Sequence, residues 1–249
     1  MDLHLKGTGA IVTGGSRGIG AAIALGLAKE GCHVAINYLG PEEEADEVIK
    51  KIDALGVKGL AVQSDVSNFK GAQEMVDLVV KEFGRLDIMV CNAGINWDGL
   101  VWKMTEEQFD RVIAVNLKGC FNYNRAAAGI FKEQRSGKIV NISSINGLRG
   151  KFGQTNYTAS KGGEIAMSKT LARELGKFNV NVNVVAPGMV MTEMARKLPP
   201  EFLNKAVDET VTGRIADTED IADLVVFLCS QRARHITGEV IRVDGGQYI

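Results

Sequence analysis

Gly9-Ala10-Ile11-Val12-Thr13-Gly14-Gly15-Ser16-Arg17-Gly18-Ile19-Gly20 is the stretch whose reading decides the fold. Its first five residues form a short apolar run, the glycines interrupt that run, and an Ala/Leu-rich segment follows to Glu30. This predicts a strand, a tight turn and a helix, in that order. Glycines at 14, 18 and 20 let the backbone turn sharply and let an anion approach the first amides of the helix, where the dipole favours negative charge. Because a strand precedes the turn and a helix follows it, the pattern predicts a dinucleotide site contributed by Gly14, Ser16, Arg17, Gly18, Ile19 and Gly20. The competing reading is a turn that is merely structural.

The same alternation continues outward. His33 to Asn37 reads as a second strand and Pro41 to Leu55 as a helix with proline in its first turn; Lys58 to Gln63 reads as a third strand ending at Asp65. Ser67 to Phe83 is helical, and Leu86 to Cys91 is a strand apolar enough to be buried on both faces. A long helical region runs from about Thr105 to Phe131, and Lys138 to Ile142 makes strand five. Helix is predicted from about Thr155 to Lys177, strand from Val180 to Val185, helix from about Thr218 to Ser230 and a last strand from Glu239 to Val243. Strands alternating with long helices imply right-handed crossovers and a parallel sheet covered on both faces. No linker breaks the pattern, so residues 1–249 are expected to form one domain of the α/β class. Residues 189–212 are the least regular part, with Pro199-Pro200 and several Met and Leu residues, and they are the expected substrate lid.

Composition excludes several classes of function. Twenty-nine basic and thirty acidic residues give a net charge of −1, so no global field attracts nucleic acid or an anionic membrane. No apolar run approaches the roughly 18 residues needed to span a bilayer. Met1-Asp2-Leu3-His4-Leu5-Lys6 offers no apolar signal segment, so a cytoplasmic location is expected. Cys32, Cys91, Cys120 and Cys229 lie in apolar segments without metal-ligand spacing, and His4, His33 and His235 are dispersed. Buried thiols are expected, with no disulfide framework and no metal site.

Tyr157 and Lys161, in Gly153-Gln154-Thr155-Asn156-Tyr157-Thr158-Ala159-Ser160-Lys161, carry the chemistry. At i and i+4 on a helix a phenol and an ammonium share one face, and the cation favours the phenolate. Such a pair suits proton transfer. On its own it also describes an ordinary surface pair.

Taken together, Thr13-Gly-x-x-x-Gly-Ile-Gly20, Asn92-Ala93-Gly94, Asn116, Ser144, Tyr157-x-x-x-Lys161 and Pro187-Gly188 make the sequence resemble the short-chain dehydrogenase/reductase family over nearly its whole length. The resemblance implies a doubly wound Rossmann-type domain with about seven parallel strands in the order 3-2-1-4-5-6-7. It implies that Tyr157 is the general acid in carbonyl reduction, that Lys161 binds the nicotinamide ribose, and that Ser144 holds the substrate carbonyl oxygen. Asn116 would interrupt its helix and hold a water. Ser143 is the adjacent competitor to Ser144 and is expected to be structural. Cys91 departs from the asparagine common at that position and is expected to pack.

For the cofactor, Asn37-Tyr38 stands at the end of strand two, where members preferring NAD usually have an acidic residue, and Asn37 is expected to contact the cofactor there. Arg17 is placed to pair with a 2′-phosphate. NADPH is therefore expected over NADH, with Asp65 and Val66 beside the adenine and Asn92, Ala93, Gly94, Pro187 and Gly188 completing the site. Within the family the resemblance is to 3-oxoacyl-thioester reductases, carried by Ile142-Ser-Ser-Ile-Asn-Gly-Leu-Arg-Gly-Lys-Phe-Gly-Gln-Thr-Asn-Tyr157 and by Ile236 to Gly246. It implies an acyl-CoA or acyl-carrier-protein substrate, a homotetramer, and Asp98, Phe152 and Gln154 bordering the substrate, with Trp102 nearby. Arg149 and Lys151 are candidates for attracting the phosphates of the thioester carrier. Two other readings stay open: a secondary-alcohol dehydrogenase for a steroid, sugar or cyclic ketone, and a non-catalytic NADPH-binding protein.

Overall fold

The computed structural model describes residues 2–249, so Met1 lies outside the described residues. The first half alternates β1 (Gly9–Thr13), α1 (Gly18–Lys29), β2 (His33–Tyr38), α2 (Glu42–Asp53), β3 (Gly59–Gln63), α3 (Phe69–Phe83) and β4 (Ile88–Cys91). A continuous helical stretch follows, made of α4 (Glu106–Val112), a π-helical segment (Ile113–Lys118) and α5 (Gly119–Gln134). Then come β5 (Gly137–Ile142), α6 (Asn146–Arg149), α7 (Thr155–Leu175) and β6 (Val180–Pro187). The chain ends with α8 (Glu193–Arg196), α9 (Pro200–Asp208), α10 (Thr218–Cys229) and β7 (Val240–Val243). Thus the irregular 189–212 segment carries two short helices.

All strands pair in parallel in one seven-stranded sheet ordered β3-β2-β1-β4-β5-β6-β7. Each pairing requires a crossover, which the helices supply on both faces. Along β1, Ala10 and Val12 point to the layer holding Ile23, Leu27, Val48, Ile52, Val225 and Leu228, whereas Ile11 points to the layer holding Met75, Val76, Tyr123 and Phe131. The alternation is the period of a pleated strand, and covering both faces explains why β1 and β4 are apolar along nearly their whole length. Fully burying each Val, Ile or Leu contributes about 1.5–3 kcal/mol before chain entropy is counted.

β4 begins two residues later than its apolar pattern predicts. Asp87 still bonds both neighbouring strands through its main chain, its amide to Gly9 O at 2.8 Å and its carbonyl to the Lys138 amide at 2.9 Å, and its carboxylate adds a bond from the Gly9 amide at 2.9 Å and an ion pair with Arg85. Strand order reverses between β1 and β4, and the crevice beyond their C-terminal ends is where sheets of this kind bind ligands. The glycine turn after β1 and Asn92-Ala93-Gly94 after β4 both stand there. Among the described residues no helix is long and apolar enough to cross a membrane, and no group of His, Cys, Asp and Glu is arranged to hold a metal. All four cysteines are buried and free.

Candidate active site

The glycine turn is shaped by contacts that only glycine permits. Gly14 and Gly18 hold φ of +62° and +55°, which L side chains rarely adopt. A Cβ on Gly20 would stand 2.1 Å from the Gly14 carbonyl oxygen and 2.5 Å from Asn92 Nδ2, inside any tolerable contact. The start of α1 has neither a side-chain cap nor an acidic residue in its first turn, so its leading amides keep their hydrogen-bonding capacity and the dipole is not offset. Asn92 Nδ2 donates to the Thr13 and Gly14 oxygens at 3.0 and 3.1 Å, and Thr13 Oγ1 accepts from the Asn92 and Ala93 amides at 2.9 and 3.0 Å. The two strand ends are thereby stitched together. Ser16 and Ile19 stand half-buried within the same turn.

Around the turn the remaining cofactor candidates divide. Asn37 is buried and its side chain is spent, donating to Ser64 O at 2.7 Å and Ser64 Oγ at 3.0 Å. Its Oδ1 accepts from the Gly14 amide at 3.4 Å, so the side chain braces the glycine turn as well as the β2–β3 pairing. Arg17 is exposed, with Nη1 3.7 Å from a Glu44 carboxylate oxygen that has no hydrogen-bond partner. Asp65 accepts from the Ser67 amide and hydroxyl at 2.9 and 2.7 Å and from Arg111 at 2.9 Å. Partial burial pushes its carboxyl up, but Ser67 and Arg111 outweigh this and hold it below the usual carboxylate range. Val66 is buried beside it. Gly188 packs against Asp244 and the Gln247 side chain, which tucks the end of β6 under the C-terminal segment.

Helix α7 places the chemical groups. Its start is held by Asn156, fully buried, whose Nδ2 donates to the carbonyls of Trp97 and Gln108 at 3.0 and 2.9 Å. One turn apart, Tyr157 is half-buried and Lys161 is buried, with Lys161 Nζ 5.9 Å from the centre of the tyrosine ring. Nζ donates to Ile142 O at 2.8 Å and to the Glu164 carboxylate at 2.8 and 3.1 Å. Burial by itself would lower the Lys161 ammonium, yet the charges of Glu164 and Tyr157 hold it above its ordinary range. Asn116 sits inside the π-helical segment, where the extra residue per turn breaks the regular ladder. It is fully buried, accepts from the Ile95 amide at 2.8 Å and donates to Ile95 O and Ser160 Oγ at 2.9 and 3.0 Å. A Cβ on Gly94 would stand 3.3 Å from Asn116 Oδ1 and 3.5 Å from Lys161 Nζ, so these three residues converge at one point.

The two serines after β5 have different partners. Ser144 Oγ, nearly buried, accepts from the Asn146 amide at 3.1 Å, and Ser143 Oγ donates to Lys161 O at 2.8 Å. Gln154 donates to Asp98 at 3.1 and 3.2 Å and accepts from Asn146 at 3.2 Å, tying the loop after β4 to the segment between Ser144 and Tyr157. Phe152 is 85% exposed and Trp102 is 72% exposed, so neither belongs to the core. Lys151 is exposed, but Arg149 is already engaged: it donates to Gln247 O at 3.2 Å and to Glu209 at 3.4 Å. Arg149 thus clasps the end of the 189–212 segment to the C-terminal segment, which argues against its role as a free phosphate attractor.

Residues 14–247 match the family profile described as Enoyl-(Acyl carrier protein) reductase. The chain belongs to the short-chain dehydrogenase/reductase family. It is 44% identical over 240 residues to a 3-oxoacyl-[acyl-carrier-protein] reductase FabG of Staphylococcus aureus, a match covering 96% of this chain and 98% of the relative. A FabG of Thermotoga maritima is 40% identical over 247 residues, 99% of this chain and 100% of that protein. Among solved structures, one described as a short-chain alcohol dehydrogenase from Sinorhizobium meliloti 1021 superposes with a TM-score of 0.94 at 33% identity, covering 99% of this chain and 98% of that one. As a member of this family the chain is an oxidoreductase that takes a nicotinamide cofactor.

One residue at the centre of this reductase site escaped the sequence reading. Glu164 is 2% exposed and completes the Lys161 shell. A signal existed: residues 157, 161, 164 and 168 fall on one helical stripe, and Lys161, Glu164 and Ser168 are all buried. A glutamate in the middle of such a stripe has to be paired.

Proposed function

We propose that this protein reduces a 3-oxoacyl thioester, borne on CoA or on a carrier protein, to the 3-hydroxyacyl thioester with NADPH. The observation that carries the reading is the convergence of Tyr157, Lys161 and Asn116 beside the strand-order reversal, with Ser144 at the end of β5. The relatives named above, which are 3-oxoacyl-[acyl-carrier-protein] reductases by name, support the choice of substrate.

The residues present fit a dinucleotide. The glycine cradle that a Cβ would fill, with the uncapped start of α1, suits a pyrophosphate. Arg17 would turn from Glu44 to a 2′-phosphate, which favours NADPH. Asp65 and Val66 would border the adenine, and Asn92-Ala93-Gly94 with Pro187-Gly188 would frame the nicotinamide. When bound, the nicotinamide supplies the hydride. Lys161 would hold its ribose through a free N–H of the ammonium. Tyr157 would give its hydroxyl proton to the oxygen of the reduced carbonyl while the Ser144 hydroxyl hydrogen-bonds that same oxygen, stabilising charge where it develops. Asn116 would seat a water behind Lys161. Gln154 and Asp98 would set the wall of the substrate cleft, Phe152 would give it an apolar rim, and residues 189–212 would close over it as a lid on a single domain. Half-buried β7 forms an open sheet edge, which suits packing against further copies in a homotetramer.

The test is NADPH oxidation with acetoacetyl-CoA. The wild type turns over, Tyr157→Phe loses at least about 10²-fold in kcat, and the variant still binds NADPH by fluorescence titration. An inert wild type, or one that reduces an enoyl thioester instead, overturns the reading. The likeness to a short-chain alcohol dehydrogenase favours one second reading, a secondary-alcohol dehydrogenase, which turnover of simple ketones but not of the thioester would select.

A further inference from the structure

Glu164 is the one buried carboxylate in contact with this machinery to which the proposed chemistry gives no part. Its charge is costly to bury, and a buried ion pair is commonly no more stabilising than well-packed apolar side chains of the same volume. Packing alone therefore gives no reason for a glutamate here, whereas buried charge partners concentrate at functional sites. The groups facing it are few. From its own helix comes Lys161, which in turn stands beside Tyr157, and from α5 comes Cys120, next to Cys91 of β4. Beneath them lies a neutral network: Asn124 donates to Cys120 Sγ at 3.3 Å and to Asn141 at 3.1 Å, and Asn141 donates to Ser168 Oγ at 2.8 Å. Lys161 is the sole cation in this set.

We propose that Glu164 is a positioning residue: its carboxylate draws the Lys161 ammonium against Ile142 O and cancels part of its charge, so that Tyr157 keeps its proton to higher pH than beside an unscreened lysine. The inference rests on Tyr157 being the proton donor. An ammonium has three N–H donors. Ile142 O takes one and the Glu164 carboxylate takes at least one more, which leaves at most one N–H for a ribose hydroxyl. Screening has a chemical consequence. Beside a bare cation the phenol would be lost at lower pH, and the site would lose its acid form as pH rises. The carboxylate keeps the acid form in place and biases the site towards carbonyl reduction. Burial pushes the Glu164 carboxyl itself well up, and Lys161 only partly reverses this, so the screening charge is itself lost on mild acidification.

Two readouts test this on the intact enzyme. The first is the tyrosinate absorbance that appears on raising pH and is absent from Tyr157→Phe; it requires no substrate. The second is the pH–rate profile of the reverse, alcohol-oxidising reaction with NADP. In Glu164→Gln, which preserves volume, both midpoints are expected to move down by about one pH unit. In Glu164→Asp, whose carboxylate is drawn back by one methylene, they should fall between those of Gln and wild type. If Glu164→Gln does not fold, the Asp variant carries the same expectation at smaller size. Unchanged midpoints in the folded variants overturn the proposal. Midpoints that move up also overturn it, since Glu164 would then serve to keep Lys161 charged and not to screen it. A wild type inert towards thioesters would sink the substrate assignment while leaving the absorbance test decisive for Glu164.

Discussion

Ser143 donates a hydrogen bond from Oγ to the main-chain oxygen of Lys161 at 2.8 Å, tying the end of β5 to the middle of the helix that carries the chemistry. The Ser144 hydroxyl, its neighbour, has only the Asn146 amide as a protein hydrogen-bond partner among the described residues. The two hydroxyls should separate on substitution. Ser143→Ala leaves a buried carbonyl without this donor and should cost about 1–3 kcal/mol of unfolding free energy, with a modest fall in kcat. Ser144→Ala should leave stability within about 0.5 kcal/mol and cut kcat by about 10²-fold. Urea denaturation and steady-state kinetics on both variants check this, and the opposite pattern would reverse the two roles.

Gly20→Ala should abolish cofactor binding, because its Cβ would have to displace the Gly14 carbonyl from 2.1 Å and Asn92 Nδ2 from 2.5 Å. Opening the turn costs about 1–3 kcal/mol of stability. Calorimetric titration with NADPH should show no binding in a variant that still unfolds cooperatively.

Arg17 and Glu44 should set the choice between NADPH and NADH. A charge-assisted hydrogen bond from the guanidinium to a phosphate is worth about 1.5–3 kcal/mol, so Arg17→Ala should reduce the NADPH preference in kcat/KM by about 10–100-fold. Glu44→Gln removes the carboxylate that Arg17 now faces at 3.7 Å and should strengthen NADPH binding. If both variants keep the wild-type ratio, the 2′-phosphate is held elsewhere.

The clasp on the 189–212 segment should be acid-sensitive. Glu209 accepts from Gln247 at 2.9 Å and from Arg149 at 3.4 Å, and these partners hold its carboxyl below its ordinary value of 4.5. A depressed carboxylate adds stability that is fully present above the unfolded-state value and is lost as pH falls through the folded one. Limited proteolysis near residues 209–212 should therefore accelerate as pH drops below about 4.5. In Glu209→Gln the cleavage should already be fast at neutral pH and change little with acid.

Much of the fold was legible because two periodicities and the glycine turn state it locally. The apolar runs at Ala10–Val12, Val34–Ile36 and Ile88–Val90 are buried on both faces of the sheet, and a reader of the sequence sees that as unbroken hydrophobicity. The Tyr157–Lys161 spacing gives their common helix face without any coordinates. Less visible was the work of side chains whose partners are remote in sequence. Asn37, read from its position as a cofactor contact, also links the glycine turn to Ser64, its Oδ1 accepting from the Gly14 amide and its Nδ2 donating to Ser64, and Arg149, read as a free cation, is held by Glu209 and Gln247.

Sequence by itself therefore determined the class of fold, the site of the cofactor turn and the phenol–ammonium pair, since each depends on neighbours within a turn or a strand. Only the tertiary structure decided how those groups are charged and aimed. The strand-order reversal brings Gly94, Asn116 and Lys161 to one point, and burial leaves Glu164 and Lys161 each other's principal charged partner. Desolvation and the distance between charges set the strength of that coupling, and neither quantity exists until the chain has folded.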